Sequence, residues 1–307
     1  MKTLIVLTTM MTYQLTLACI GPNSHDFIPE NNLRIPISNG FIQEHMTEET
    51  FNNIINNVIS QYKDEVSKFG ADLKVEKRWT DEKVNAYAHR MNSKNVWEIV
   101  MFGGMARHPL LTEDGFALIV CHELGHHLGG APKRIPENPI EEIFKDKIIW
   151  ASNEGQSDYW ATLKCFRKVF KDKDNFAFLQ EQVVDDEMFA LCDKSFSSKE
   201  ESALCLRSLI ASKNLSKVLT SLSSPDAEIY PKISTPDPKE VTTTFQKHSE
   251  AQCRLDTLLA GTICHEVLSS NVSDKNPNIG TCNRSNGDDF GVRPLCWFRP
   301  KDSITPL

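Results

Sequence analysis

This chain of 307 residues lacks three features that would place it in common protein classes. After residue 20 no apolar run approaches the roughly 20 residues that a membrane-spanning helix needs, so we expect no transmembrane helix beyond the N-terminus. An excess of positive charge is also missing, because the formal net charge is −7, and this argues against a nucleic-acid partner. There is no internal repeat and no low-complexity tract. The length then favours one sizeable domain with appendages, or two small ones.

A His-Glu-x-x-His motif at positions 122 to 126 is the most informative feature that the sequence does contain. Residues four apart lie on one face of a helix, so His122 and His126 can bind one zinc ion. Glu123 then lies beside the metal and can take a proton from zinc-bound water, which is chemistry suited to amide hydrolysis. A chance match is the alternative. The apolar run 116–120 and the glycines at 129 and 130 favour a real helix that ends just after the motif.

A second helix is expected to supply the third zinc ligand. Glu154 and Asp158 are four residues apart, so Glu154 can bind the metal while Asp158 accepts a hydrogen bond from a ligating histidine. Such a pair is also typical of a solvated helix face. The nearby aromatic residues Trp150, Tyr159 and Trp160 favour the ligand interpretation. We expect His127, one residue away from the ligand face, to meet solvent or a neighbour of the ligands rather than the metal.

With these two motifs the chain resembles the gluzincin metallopeptidases of the HtpX and CAAX-prenyl endopeptidase type, in which His-Glu-x-x-His is followed by Glu-x-x-x-Asp. Three more segments carry the resemblance. Residues 84–88 (VNAYA) resemble the stretch before the edge strand of that family, and residues 97–105 (WEIVMFGGM) resemble its substrate-pairing strand. Residues 248–255 (HSEAQCRL) resemble its His-Pro-x-x-x-x-Arg-Ile segment, with Ser249 in place of the proline.

The resemblance implies a role for each matched residue. The zinc ligands would be His122, His126 and Glu154, with Glu123 as the general base and Asp158 in support. His248 would donate a hydrogen bond to the oxyanion, although a surface histidine is the alternative. Arg254 would brace either the segment that carries His248 or the neighbouring carboxylates. The substrate-pairing strand would contribute Met101, Phe102, Gly103 and Gly104.

The fold expected from these elements is α+β, a predominantly helical zincin core with a small β-sheet whose edge strand borders the cleft. We expect the metallopeptidase domain to span residues 46–265. An irregular N-terminal arm would cover residues 19–45, where prolines lie among Asn and Ser. The tail 266–307 is too small for a core of its own, so we expect disulfides to hold it.

The N-terminus predicts export. Residues 1–18 are typical of a signal peptide, with Lys2 before a moderately apolar stretch that ends at Ala18. Residues 15–19 (LTLAC) also resemble a degenerate lipobox, in which Cys19 would carry a lipid anchor. Simple cleavage after Ala18 is the alternative. In either case we expect an exported protein that is periplasmic or extracellular. With lipid on Cys19 it would be a membrane-anchored lipoprotein.

Eight further cysteines fit an oxidising compartment. If the two ligand helices run antiparallel, Cys121 and Cys165 can meet, and a zinc-ligand role for Cys121 is the alternative. Cys253 and Cys264 lie about 16 Å apart on one predicted helix, too far for a mutual disulfide. We therefore expect these two to pair with Cys282 and Cys296, which leaves Cys192 and Cys205 for each other.

The function predicted from the sequence is a zinc endopeptidase with one Zn²⁺ per chain and a peptide or protein substrate. The alternative is an inactive relative that keeps zinc for stability and acts as a structural or binding protein. Glu123 favours the enzyme, because a purely structural site needs no carboxylate beside its first ligand.

Overall fold

The computed structural model describes residues 25–37, 46–91 and 95–300, so the predicted signal peptide and Cys19 lie outside the described residues. The chain folds as a mixed α+β structure, which confirms the predicted class. Its helices in chain order are α1 (Glu48–Ser60), α2 (Lys63–Ser67), α3 (Gly103–Ala106), α4 (Glu113–Leu128), α5 (Pro139–Ile143), α6 (Glu154–Trp160), α7 (Arg167–Phe170), α8 (Asn175–Gln180), α9 (Asp186–Ser195), α10 (Lys199–Ser223) and α11 (Ala251–Ile263).

Four strands form one sheet in the order β1-β3-β4-β2, where β1 is His25–Asp26, β2 Asp72–Arg78, β3 Ala86–Met91 and β4 Val96–Phe102. β4 pairs with β2 in parallel and with β3 antiparallel. β1 pairs antiparallel with the other side of β3. The N-terminal arm was predicted to be irregular, but it therefore contributes an edge strand to this sheet.

The prediction that residues 97–105 form the edge strand of the sheet is wrong. Trp97 to Phe102 belong to β4, whose backbone is paired on both sides. Met101 and Phe102 are buried, and Gly103 and Gly104 lie in α3. A Cβ atom on Gly103 would lie 1.8 Å from the Trp79 carbonyl oxygen. The two glycines thus serve close backbone packing, and a substrate has no free strand to pair with here.

The central helix α4 carries the His-Glu-x-x-His motif. Its N-terminus is capped by Thr112, whose side chain accepts a hydrogen bond from the Gly115 amide. Every residue from Asp114 to Leu128 is buried, because α1, α6 and α10 all pack against the helix. A helix buried on all sides holds its side chains in fixed positions, which is what a metal site requires.

The second predicted ligand helix begins at Glu154. Asn153 caps it by accepting a hydrogen bond from the Gln156 amide. From α6 the chain passes without a break through a π-helical segment, Ala161–Phe166, into α7. Glu154 is thus the first residue of a continuous helix that runs beside α4.

Four disulfides cross-link the fold: Cys121–Cys165, Cys192–Cys205, Cys253–Cys296 and Cys264–Cys282. They agree with the predicted pairings, and the Cys121–Cys165 bond joins α4 to the helix that begins at Glu154. The last two attach the tail to α11 and its end, as expected for a segment without a core of its own. Among the described residues, none of the helices has the length and apolar character needed to cross a membrane.

The tail does more than the sequence predicts, because it packs against α6. A Cβ atom on Gly155 would lie 2.2 Å from the buried indole ring of Trp297. Arg293 donates from Nε to the side-chain oxygen of Gln156 at 2.7 Å. The tail therefore helps to position the helix that presents Glu154.

Candidate metal centre

Three predicted zinc ligands converge where α4 meets the start of α6. His122, His126 and Glu154 are all buried. Glu154 Oε2 lies 3.3 Å from His122 Nε2 and 3.7 Å from His126 Nε2. Ligand atoms about 2.0 to 2.1 Å from a tetrahedral zinc ion are about 3.4 Å apart. The two separations from Glu154 Oε2 are therefore close to those between ligands of one zinc ion.

The hydrogen bonding of these three ligand atoms also favours a bound cation. His122 Nε2, His126 Nε2 and Glu154 Oε2 make no hydrogen bond with protein groups in the described part of the chain. Buried polar atoms without partners are uncommon in proteins because desolvation costs free energy. A cation bound among the three atoms would satisfy all of them.

The outer ring nitrogens of both histidines have protein partners. His122 Nδ1 lies 2.7 Å from Asp158 Oδ1, and His126 Nδ1 lies 2.9 Å from the Ser152 carbonyl oxygen. A proton held on Nδ1 by these acceptors leaves the Nε2 lone pair for a metal. Burial also lowers the pKa of His126 to about 4, which keeps that ring neutral.

Arg254 holds Asp158 in place through two hydrogen bonds, from Nε to Oδ2 at 2.7 Å and from Nη2 to Oδ1 at 2.8 Å. Burial on its own would raise the pKa of Asp158, but the charges of Arg254 and His122 hold it at about 2. Asp158 is therefore ionised. Burial would likewise lower the pKa of His122, yet Asp158 raises it to about 9, so a cation that binds Nε2 at neutral pH must displace a proton from this ring.

The Asp158→Asn variant is expected to lower zinc affinity by roughly 10- to 100-fold, since an amide orients and polarises the His122 ring less well than a carboxylate does. Competition with a fluorescent zinc chelator measures the change. Asp114→Asn is the matched control, because Asp114 is also buried and bound to an arginine, Arg207, at 2.7 and 2.9 Å. Equal losses in both variants would show that Asp158 acts on stability alone.

The predicted general base, Glu123, is fully buried beside the ligands. Neither of its carboxylate oxygens has a hydrogen-bond partner within the described residues. Burial raises the pKa of this carboxyl well above its usual range. A buried carboxyl with a shifted pKa beside candidate metal ligands is typical of a functional site.

His248 lies beside the candidate centre, three residues before α11, and most of its side chain is buried. The Nε2 atom lies 2.6 Å from the carbonyl oxygen of Asp26 and 3.3 Å from Glu154 Oε2. The predicted oxyanion donor is thus directed at a backbone carbonyl of the chain itself.

His25 is the site residue that sequence reasoning missed. It lies in β1, is buried, and neither ring nitrogen has a hydrogen-bond partner among the described residues. His25, His126 and Glu154 each offer a ligand atom, and these atoms lie within 4.8 Å of one another. His122 is not in that group of three, but it reaches the same Glu154 oxygen. No spacing or motif connects residue 25 with the zinc helices, so the sequence carries no signal for it.

Two expected alternatives for nearby residues are settled. His127 is buried and stacks between Trp97 and Trp150, so it is shielded from solvent. It accepts a hydrogen bond from Arg90 at 3.3 Å and lies outside the group of possible metal ligands. Cys121 cannot serve as a thiolate ligand because it is in a disulfide. The same holds for the cysteines in two other groups of possible ligands.

Comparison of the chain with protein-family models, with curated proteins and with solved structures finds no match.

Proposed function

We propose that the protein is a zinc-dependent endopeptidase with a gluzincin-like site that acts on peptides or proteins. One observation carries the proposal. Buried ligand atoms of His122, His126 and Glu154 lie together beside the buried carboxylate of Glu123, whose oxygens have no hydrogen-bond partner among the described residues. The spacing within the motif and the separations from Glu154 both match a zinc centre with an adjacent general base.

In this proposal each side chain of the site has its own role. Zinc, when bound, would act as a Lewis acid and make a water molecule acidic enough to attack at neutral pH. Glu123 takes the proton of that water and later passes it to the leaving amine. His248 donates a hydrogen bond to the carbonyl oxygen of the scissile bond as negative charge develops there. Asp158 and Arg254 keep the His122 ring oriented.

The alternative is an inactive relative that binds zinc for structure. A structural site has no use for Glu123, and burial of a carboxylate without partners destabilises the fold. The four disulfides fit an exported protein. A periplasmic or extracellular site of action, with or without a lipid anchor, is part of the proposal.

Zinc content and casein hydrolysis, measured on the same purified sample, test the proposal. We expect one zinc ion per chain, loss of hydrolysis after chelation, and recovery when zinc is restored. Bound zinc with no hydrolysis after long incubation, in the unchanged chain and in a His25→Phe variant alike, would favour the inactive relative.

The His248→Ala variant is expected to lower kcat by roughly 10²-fold or more and to leave KM and zinc content nearly unchanged. An interaction made only with the developing charge contributes nothing to ground-state binding. Steady-state kinetics on a quenched fluorescent peptide measure both constants. His265→Ala, which removes an exposed histidine, is the control. A change in KM alone would make His248 a cleft-lining residue.

A further inference from the structure

The N-terminal segment His25–Ile28 covers the edge of the sheet beside the candidate metal centre. We infer that this segment occupies the groove along β3 that an extended substrate would use, and that His25 is a fourth zinc ligand which closes the site. The inference rests on the proposed zinc site and adds that the enzyme is latent while β1 stays in place.

The backbone pairing of the segment resembles that of a bound peptide. His25 lies opposite Ala88 and Asp26 opposite Tyr87 in antiparallel register. The Phe27 amide donates to the Ala86 carbonyl oxygen at 2.9 Å. Extended peptides bind proteins by adding a strand to an exposed sheet edge in this way. Because β4 and β2 lie on the other side of β3, β1 takes the remaining edge of β3.

Side chains around the segment complete a groove for extended backbone. The Asn85 amide binds both polar groups of Ile28: its oxygen accepts from the Ile28 amide, and its nitrogen donates to the Ile28 carbonyl, each at 3.2 Å. Arg254 donates from Nη1 to the Phe27 carbonyl oxygen at 2.8 Å. The Phe27 ring is fully buried, 5.1 Å from the His122 ring. The backbone of a substrate would meet the same side-chain donors and acceptors.

The carbonyl of Asp26 occupies the position proposed for a reacting carbonyl. His248 Nε2 lies 2.6 Å from that oxygen, so the donor assigned to the oxyanion is already engaged by the chain itself. A substrate carbonyl and the Asp26 carbonyl therefore compete for one hydrogen-bond donor.

His25 is the residue that closes the metal site. Its ring centroid lies 4.9 Å from that of His126, and the ring packs edge-on against Trp150. An imidazole that is buried with neither nitrogen hydrogen-bonded within the described residues is costly unless one nitrogen binds a metal. Catalytic zinc sites keep one position open for water, whereas four protein ligands are typical of a closed site. With His25 bound, the site holds zinc and excludes water.

Phe27 and Ile28 anchor the segment in the core, whereas the β1 pairing that precedes them is weak. β1 contains only two residues, and the Asp26 Oδ1 atom is buried without a partner within the described residues. Both features weaken the docking of β1 relative to a long, fully satisfied strand. When β1 leaves β3, the strand edge, the His248 donor and the fourth zinc position all become free together.

Cobalt substitution tests the inference without relying on activity. The Co²⁺-loaded full chain is titrated with acetohydroxamate, a small metal ligand, and its visible absorption is recorded. The variants are His25→Ala and His25→Phe, of which the second keeps a ring against Trp150 but offers no nitrogen ligand. His108→Ala is the control, because His108 is a buried histidine that contacts Ser221 instead of the site.

We expect the unchanged chain and the His108→Ala control to respond weakly to acetohydroxamate. Both His25 variants should bind it at least 10-fold more tightly and hydrolyse casein at least 10-fold faster. Equal acetohydroxamate affinity in all four proteins would overturn the inference and leave the zinc site standing. Loss of Co²⁺ from both His25 variants would also overturn it, because His25 would then hold the metal permanently. Failure of the unchanged chain to bind Co²⁺ would remove the proposed zinc site itself.

Discussion

The Glu123→Gln variant is expected to keep its zinc and its fold while turnover falls by roughly 10²- to 10⁴-fold, the usual effect of removing a general base. The amide has nearly the same shape as the carboxylate but cannot accept a proton from water. Because Glu123 is fully buried and its oxygens lack partners among the described residues, the amide replaces one buried polar group with another of nearly equal size. The free energy of unfolding should therefore change little.

Peptide hydrolysis and zinc content measure this effect. Both should be determined in the unchanged chain and in the His25→Phe background, so that a latent site does not hide the loss of turnover. Glu113→Gln is the matched control, since Glu113 is an exposed carboxylate in the first turn of the same helix, α4. Near-normal activity of Glu123→Gln would reject the assigned mechanism.

Removal of Glu154 is expected to have the largest effect on the metal. Its Oε2 atom is the point shared by His122, His126 and His248, at 3.3, 3.7 and 3.3 Å. In the His25→Phe background, Glu154→Ala leaves only two ligands, which cannot hold zinc against water and buffer. We expect that double variant to contain no stoichiometric zinc. In the chain that retains His25, the loss should be smaller, because three histidines remain.

Metal analysis after dialysis against a chelator checks this prediction. Glu142→Ala, which removes an exposed carboxylate from α5, is the control and should keep one zinc ion per chain. Stoichiometric zinc in the double variant would exclude Glu154 from the site.

The helices that carry His122 and Glu154 could be predicted from the sequence because the information is local. The spacing within residues 122–126 and the capping residues Thr112 and Asn153 act over single helical turns. Helix length likewise excluded a Cys253–Cys264 bond, but it did not decide that Cys253 pairs with Cys296 and Cys264 with Cys282. The wider zincin core stays a prediction.

The place of β4 in the sheet and the role of His25 could not be predicted in this way. Residues 96–102 are mostly apolar, which is typical of an inner strand buried on both faces. The resemblance to a substrate-pairing strand favoured an edge position instead. His25 reaches the site through β1, whose pairing with β3 depends on tertiary structure alone. The same holds for Trp297, which packs on Gly155 from the far end of the chain.

Zinc-edge anomalous diffraction from crystals of the zinc-loaded protein tests the central claim most directly. The account predicts one strong anomalous peak within bonding distance of His122 Nε2, His126 Nε2 and Glu154 Oε2. The absence of a peak there, or a sole peak elsewhere in the protein, would contradict it.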